Sequence, residues 1–265
     1  MDEILDFNPC VLKRGDLPRK TDKDPRWRSR AVFSREEIEA LIYDDRIPED
    51  RRVLYALEFL TGMRSGEAAA LRWNAWDQSP APLGKLAVAV SYDSRAKVEK
   101  ATKTERPREV PVHPALAKVL ASWWESGWAR FTGRPPTGDD LIVPAARGGS
   151  RNVSYSLKAF HLDLATLGLR ERRHYDSRRT FISLGQADGA RKEVLRWITH
   201  GAAGDIVDLY TTLPWATLCD AVACIRVGAR DARVIPFPTQ ERGDVGETQE
   251  AGEEAEKKKA LTLGR

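Results

Sequence analysis

The spacing of apolar residues predicts helices along most of the chain. Ser34, followed three positions later by Glu37, forms a capping-box pattern that predicts a helix to about Asp44. The next helix is predicted from about Glu49 to Leu60, with Gly62 as its C-terminal cap. One face of that helix is apolar and carries Val53, Leu54, Leu57 and Leu60.

The rest of the pattern predicts a mainly α domain with one small antiparallel β-sheet, which is an α+β fold. Three strands are predicted at Leu86–Tyr92, Val98–Thr104 and Arg108–Val112, and a polar turn through Glu105–Pro107 is expected to join the last two. Further helices are predicted at about Gly66–Trp73, Pro114–Trp128, Ser150–Leu167, Asp176–Asp188, Arg191–Ile198, Asp205–Thr211 and Trp215–Val227.

Changes in composition divide the chain into three parts. Residues 1–30 hold three prolines among charged residues and predict a basic linker or arm. Residues 31–228 predict one compact domain. Residues 229–265 are polar, and we expect them to form a disordered tail.

Composition limits the classes of protein to which the chain can belong. Hydrophobic residues make up 42% of the chain, enough for a packed core, and no apolar run is long enough for a transmembrane helix. The amino terminus lacks the basic and apolar regions of a secretory signal, so we expect a cytoplasmic protein without a membrane partner. The three cysteines, Cys10, Cys219 and Cys224, lack metal-ligand spacing and suit a reducing compartment.

The distribution of charge is more informative than the net charge of +4. The last 25 residues carry seven acidic and five basic residues, so the rest of the chain holds a net charge of +6. Basic residues gather at Lys97–Arg108, Arg170–Arg173 and Arg178–Arg179, where they can neutralise phosphates.

Two segments in the first half of the chain carry candidate phosphate-binding residues. In Arg64-Ser-Gly-Glu67-Ala-Ala-Ala-Leu71-Arg-Trp73, the arginine lies where one predicted helix ends and another begins, and Glu67 is placed to hold the turn. The segment Thr102-Lys103-Thr-Glu-Arg-Pro-Arg108-Glu-Val-Pro111 puts a lysine close to the predicted turn between two strands. A lysine at the tip of such a hairpin can enter a DNA groove.

Two segments in the second half complete the set. Tyr175-Asp-Ser-Arg178-Arg-Thr180-Phe181 places an arginine in the first turns of a predicted helix and is preceded by His174. Leu195-Arg-Trp-Ile-Thr199-His200-Gly201 is followed by Asp205-Ile-Val-Asp-Leu-Tyr210.

The order Arg64, Lys103, Arg178, His200 and Tyr210 on a mainly helical background resembles the catalytic domain of tyrosine recombinases, the phage-integrase family. The resemblance covers about residues 31–228. The chain departs from the family pattern at three points. Tyr175 occupies the usual histidine position and His174 lies one residue early, Thr199 replaces a glycine, and the interval from His200 to Tyr210 is one residue longer than usual.

The resemblance implies a DNA strand-exchange enzyme that needs no metal and no ATP. Tyr210 would attack a phosphodiester and form a 3′-phosphotyrosine, while Arg64 and Arg178 clamp the non-bridging oxygens. Lys103 would protonate the leaving 5′-oxygen, and His200 would donate to the phosphate. Tyr175, or alternatively His174, would assist proton transfer from the nucleophile, although a tyrosine is a poorer general base at neutral pH.

The family resemblance also implies double-stranded DNA and a homotetramer on DNA as partners. The helix at Trp215–Val227 would dock on a neighbouring protomer through Leu218, Val222 and Ile225, or that face would pack on its own domain. The alternatives are a catalytically impaired DNA-binding relative, a truncated catalytic fragment that lacks a core-binding domain, and a type IB topoisomerase. Integration of phage or mobile DNA is the expected role.

Overall fold

The computed structural model describes residues 26–102, 107–201 and 211–228. Their helices are α1 Trp27–Ala31, α2 Arg35–Tyr43, α3 Glu49–Thr61, α4 Ser65–Ala70, α5 Pro114–Ser122, α6 Trp128–Thr132, α7 Val153–Thr166, α8 Tyr175–Ala187, α9 Lys192–His200 and α10 Trp215–Ala223. Their strands are β1 Trp76–Asp77, β2 Lys85–Val88, β3 Val90–Asp93, β4 Val98–Ala101 and β5 Arg108–Pro111. A 3₁₀ turn covers Trp73–Ala75 and a π-helical turn covers Trp123–Gly127. The predicted mainly α fold with a small antiparallel β component is confirmed.

Helix α3 forms the centre of the domain. Every residue from Val53 to Thr61 is buried, including the charged Glu58, so this helix is surrounded by protein on all sides. Helices α2, α5 and α8 pack against it. A helix that is buried on every side carries few charges, because a buried charge is costly unless it is paired. The Glu58 carboxylate is paired with the buried side chain of His174.

The capping signals in the sequence act as predicted at both ends of this helical region. The Ser34 hydroxyl accepts from the backbone N–H of Glu37 at 3.2 Å, and the Glu37 carboxylate accepts from the backbone N–H of Ser34 at 2.8 Å. Gly62 ends α3 in the left-handed conformation at φ 64°. Its carbonyl oxygen accepts a hydrogen bond from Nη1 of Arg178.

The strands form two small sheets rather than the single sheet that the sequence predicts. The predicted strand Leu86–Tyr92 is interrupted at Ala89, and its two halves enter different sheets. One sheet has the order β1-β2-β5 and the other is the pair β3-β4, and all pairings are antiparallel.

The predicted pairing of the strands Val98–Thr104 and Arg108–Val112 in one hairpin is wrong. β4 pairs with β3 and β5 pairs with β2, so the two predicted partners do not pair with each other. The turn that reverses the chain lies at residues 94–97, where Lys97 has a positive φ of 56°. Six residues separate Ala101 from Arg108 on the returning chain, whereas only Ala89 separates β2 from β3. The hairpin turn at residues 94–97 is thus separate from the segment that contains Lys103, which lies outside the described residues.

Other boundaries also differ from the predicted ones. The helix predicted over Pro114–Trp128 continues through the π-helical turn to Thr132. The last residues of the predicted N-terminal arm form α1, where Trp27 packs beside the guanidinium groups of Arg173 and Arg179. The predicted helix Asp205–Thr211 lies outside the described residues except for Thr211, as do Cys10, Lys103 and Tyr210.

The face of α10 that was a candidate for docking on a neighbour packs on its own domain. Leu218, Val222 and Ile225 are buried and belong to the main hydrophobic core. The alternative in which this face packs within the chain is therefore the one observed. None of the helices in the described residues is long and apolar enough to cross a lipid bilayer.

Replacement of Gly62 by alanine is expected to destabilise the domain by about 2–4 kcal/mol, because it adds both backbone strain and a clash. A Cβ at this position would lie 2.6 Å from Cδ1 of Phe181. Gly133→Ala is the matched control, since Gly133 also ends a helix at positive φ but has no atom within 4 Å of the added Cβ. Chemical denaturation should show a loss of about 1–2 kcal/mol for the control. Equal losses for the two variants would contradict the packing described here.

Candidate active site

Glu67 is a buried carboxylate that lies between two guanidinium groups. Its Oε1 accepts from Arg64 Nη1 at 2.9 Å and from Arg108 Nη1 at 3.1 Å, and its Oε2 accepts from Arg108 Nη2 at 2.6 Å. The Glu67 side chain is 0% exposed, and those of Arg108 and Arg64 are 3% and 23% exposed. Glu67 also holds the start of α4, because it accepts from the backbone N–H of Arg64 at 2.8 Å. The same carboxylate therefore fixes the backbone and the side chain of Arg64.

The electrostatics of this trio favour the ionised carboxylate. Burial alone raises the pKa of Glu67, but the hydrogen bonds and charge of Arg108, together with those of Arg64, lower that pKa below its ordinary value. Arg108 is further anchored by its Nε, which donates to the carbonyl oxygen of Ile198 in the last turn of α9 at 3.0 Å. Strand β5 is thus linked to α4 and α9 through one side chain.

Arg178 extends from α8 into the space between the C-terminal ends of two helices. Its Nη1 donates to the carbonyl oxygen of Gly62 at 2.7 Å, and its Nη2 donates to that of Thr199 at 2.7 Å. These carbonyls lie at the C-terminal ends of α3 and α9. There the last backbone acceptors have no N–H partner within the helix, and the helix dipole places a partial negative charge. Arg178 is only 1% exposed, and among the described residues its Nε has no hydrogen-bond partner.

The charge of Arg178 is not balanced by a carboxylate of its own. Within the described parts of the chain it forms no ion pair, and its hydrogen bonds go to neutral carbonyl groups. Burial and the nearby positive charges of Arg64 and Arg108 lower the pKa of Arg178 to about 10. The side chain therefore stays protonated at neutral pH in an environment that disfavours a further cation and favours an anion.

His200 is the last residue of α9 and lies beside the arginine cluster. Burial and the positive charges of Arg178, Arg64 and Arg108 lower the pKa of His200 to about 4. Its Nδ1 lies 2.9 Å from the hydroxyl oxygen of Thr199. Gly201 then turns the chain with φ 76° and ψ −175°, a combination that only glycine adopts readily.

His174 and Tyr175 differ sharply in environment although they are adjacent. His174 is buried, its Nδ1 lies 2.7 Å from a carboxylate oxygen of Glu58, and its ring packs against Phe160 at 4.6 Å. Burial by itself disfavours the charged imidazole, yet the Glu58 carboxylate raises the pKa of His174 above its ordinary value. Tyr175 is 54% exposed and is close enough to influence the titration of Arg178. Of the two residues, Tyr175 is the one accessible to a ligand.

The two remaining predicted site residues, Lys103 and Tyr210, lie outside the described residues. The segment that contains Lys103 is anchored on one side by Thr102, which is buried, and on the other by Arg108, which holds Glu67. The segment that contains Tyr210 follows Gly201 directly after His200. The described chain thus resumes one residue before Arg108 and breaks off one residue after His200.

Arg108 is the site residue whose role the sequence pattern did not reveal. Arg108 belongs to the segment Thr102–Pro111, but the sequence pattern assigns it no individual role, since a charged residue in a short strand is usually exposed. The alternation in β5 contained a signal, because Arg108 and Val110 share one face of the strand and Val110 is fully buried. A charged residue on the buried face of a strand requires a buried partner, which is Glu67.

The buried pair of Arg108 and Glu67 is expected to contribute far more to stability than the exposed pair on the same strand. Arg108→Met should lower the free energy of unfolding by about 3–5 kcal/mol, because it leaves the Glu67 carboxylate short of a partner. The double variant with Glu67→Gln should lose less than the sum of the two single losses. Glu109→Gln removes the exposed pair with Lys85 and is the control, with an expected loss of about 0–1 kcal/mol. Additive losses in the cycle would contradict direct coupling.

Burial and the neighbouring arginines should keep His200 neutral until the solution is strongly acidic. In an NMR titration of the protein without DNA, its imidazole should titrate near pH 4 rather than near 6.5. Arg64→Gln removes one of the positive charges and should move the pKa upward. Arg72→Gln is the control, because Arg72 pairs with Glu99 on the surface, and this variant should leave the pKa of His200 unchanged. A wild-type pKa near 6.5 would show that the cluster does not act on this residue.

Comparisons with known proteins agree with these features. No protein-family model matches the sequence. The ICEBs1 integrase of Bacillus subtilis (strain 168) is 29% identical over 219 residues, which is 79% of this chain and 56% of that protein. The chain therefore spans little more than half the length of the curated relative that it matches.

Solved structures share the fold at low sequence identity. The integrase from mycobacterium phage Brujita has a TM-score of 0.55 at 12% identity, with 79% of this chain and 61% of that chain covered. The Tn1549 transposon integrase in complex with a circular intermediate DNA has a TM-score of 0.53 at 14% identity, with 80% and 68% covered. XerA recombinase has a TM-score of 0.52 at 17% identity, with 71% and 62% covered. The chain is thus similar in sequence to the ICEBs1 integrase and shares its fold with these integrases and this recombinase.

Proposed function

We propose that the protein is a site-specific DNA recombinase that breaks and rejoins double-stranded DNA through a 3′-phosphotyrosine formed by Tyr210. Integration of phage or other mobile DNA is the proposed role. The ICEBs1 integrase and the Tn1549 transposon integrase, both similar to this chain, are integrases by name.

One observation carries this proposal: the site holds more positive than negative charge in a place that is mostly closed to water. Arg64, Arg108 and Arg178 face a single carboxylate, that of Glu67, so the described cluster has an excess of two positive charges. Uncompensated buried charge is costly unless a ligand of opposite sign completes the site. The oxygens of a phosphate match guanidinium donors in a bidentate arrangement.

The donor geometry suits a phosphodiester that develops extra negative charge. Arg178 uses one N–H on each Nη for the carbonyl groups of Gly62 and Thr199, which leaves the second N–H on each nitrogen and the Nε–H for a ligand. Arg64 is 23% exposed and is fixed by Glu67, so it can reach the same anion. Preorganised donors of this kind each supply on the order of 3 kcal/mol of transition-state stabilisation.

The remaining roles follow the family assignment and stay proposals. Lys103 would protonate the leaving 5′-oxygen, and His200 would donate to the phosphate. Tyr175 is proposed to assist the nucleophile because its exposed side chain lies beside Arg178, whereas His174 is buried against Glu58. No metal ion and no cofactor enters this scheme, in which the energy of the broken bond is kept in the phosphotyrosine.

Basic residues near the start of α8 extend the positive surface beyond the site. The Arg173 and Arg179 guanidinium groups lie 4.9 and 4.5 Å from the ring centroid of Trp27, and Arg173 is 61% exposed. Such residues suit contacts with the DNA backbone next to the scissile phosphate. A homotetramer on two DNA duplexes is part of the proposal. It does not rely on the apolar face of α10, which is buried within the domain.

The proposal predicts a covalent protein–DNA adduct that requires Tyr210 and no metal ion. The protein is incubated with supercoiled plasmid, and separately with a nicked suicide duplex, in the presence of EDTA and is then denatured with detergent. Wild type should relax the plasmid and remain attached to DNA, while Tyr210→Phe should bind DNA but form no adduct. Tyr43→Phe is the control, because it changes another tyrosine at the surface of the domain. This variant should still form the adduct.

A parallel Tyr175→His variant separates the enzyme from its catalytically impaired alternative. Adduct formation by wild type supports an active recombinase. An adduct from Tyr175→His but none from wild type would instead identify a DNA-binding relative that is disabled at this position. DNA binding by all variants with no adduct from any of them would contradict the proposed chemistry for this chain.

A further inference from the structure

The hydroxyl group of Thr199 has a position that the family pattern does not explain, because that pattern has a glycine here. Thr199 is fully buried near the end of α9. Its Oγ1 lies 2.6 Å from the carbonyl oxygen of Leu195, one turn earlier, and 2.9 Å from Nδ1 of His200. Its own carbonyl oxygen accepts from Arg178. One residue thus contacts both His200 and Arg178.

The placement of protons follows from the number of donors. A carbonyl oxygen only accepts, so a 2.6 Å contact between the Leu195 carbonyl and Oγ1 of Thr199 requires the hydroxyl proton to lie between them. A hydroxyl has one proton, and Oγ1 therefore faces Nδ1 of His200 with a lone pair. A hydrogen bond at that distance then requires the proton to reside on Nδ1.

We propose that Thr199 is a positioning residue that holds His200 in the Nδ1–H tautomer, with the lone pair of the neutral ring on Nε2. An unconstrained histidine side chain favours the opposite tautomer, with its proton on Nε2. The hydroxyl of Thr199 thus reverses the intrinsic preference of the ring. A glycine at this position has no group that could do so.

The tautomer decides what His200 presents to DNA. Burial and the charges of Arg178, Arg64 and Arg108 oppose protonation of the ring, and the charge of Glu67 favours it. At neutral pH the ring is uncharged, so Nε2 enters the site as a proton acceptor. It donates to a phosphate oxygen only after it has taken up the proton that the Tyr210 hydroxyl loses on attack, a step that a ring already protonated at Nε2 cannot perform. This catalytic consequence depends on the proposed function, whereas the tautomer itself does not.

The tautomer is measured directly by ¹⁵N NMR at pH 7, since protonated and unprotonated imidazole nitrogens have well separated chemical shifts. The chain has four histidines, and His200→Gln identifies the signals of His200. Wild type and Thr199→Ser should show Nδ1 as the protonated nitrogen. Thr199→Val, which keeps the shape but removes the hydroxyl, should show Nε2 as the protonated nitrogen.

Thr180→Val is the matched control for the loss of a buried helical hydroxyl. Thr180 is fully buried, and its Oγ1 donates to the carbonyl oxygen of Asp176, one turn earlier, at 2.7 Å. This variant should leave the tautomer of His200 unchanged. The same tautomer in wild type and Thr199→Val, or Nε2 protonated in wild type, would overturn the proposal whether or not the protein cleaves DNA.

Cleavage of the suicide duplex tests the catalytic consequence separately. Thr199→Val should cleave about tenfold or more slowly, with unchanged DNA affinity, and Thr199→Ser should restore the rate. An altered tautomer with an unchanged rate would show that His200 does not act through Nε2. Failure of wild type to cleave, with the tautomer as expected, would count against the proposed function and not against the role of Thr199.

Discussion

The structure depends on the way in which helix ends hold positive charge. Backbone carbonyl groups at the C-termini of α3 and α9 accept from buried guanidinium groups, because the last turn of a helix leaves acceptors without internal partners. Gly62 and Thr199 accept from Arg178, and Ile198 accepts from Arg108. These contacts stabilise a cation without neutralising it. Carboxylates in the same places would have cancelled the charge that a phosphate requires.

Among the described residues, Glu67 gives the cluster its compensating negative charge and its rigidity. By binding both Arg64 and Arg108, it links the start of α4 to strand β5, and Arg108 extends the link to α9. Three motifs that are far apart in the sequence therefore meet through one carboxylate and one helix end. Burial and the positive charges of the cluster together lower the pKa of His200, so the charge that prepares the site for DNA also helps to set the protonation of its histidine.

The sequence predicted local structure better than pairing and burial. The boundaries of α2 and α3 follow from a capping box and a C-terminal glycine, which act within a few residues. The pairing of β4 with β3 was missed because alternation reveals a strand but not its partner, and the six-residue insertion before Arg108 is visible only in the register. The apolar face of α10 was equally compatible with two partners until its packing on the core was seen.

The candidate site was predicted in part, for a related reason. Motif order pointed to Arg64, Arg178 and His200, which the described structure joins through Glu67, Arg108 and Thr199. The contacts of Glu67 with Arg108 and of Thr199 with Arg178 join residues that are far apart in the sequence, and no spacing rule reveals them. The motif register left His174 and Tyr175 open as alternatives, whereas burial separates them, since His174 is held by Glu58 and Tyr175 faces solvent.

The central claim is that the uncompensated arginine cluster is a phosphate site. The most direct test is a structure of the Tyr210→Phe protein bound to a DNA duplex at its recombination site. The account predicts that one phosphate accepts from both Arg64 and Arg178 while Arg178 keeps its bonds to the carbonyl groups of Gly62 and Thr199. A complex in which DNA binds elsewhere, and no phosphate contacts Arg178, would contradict it.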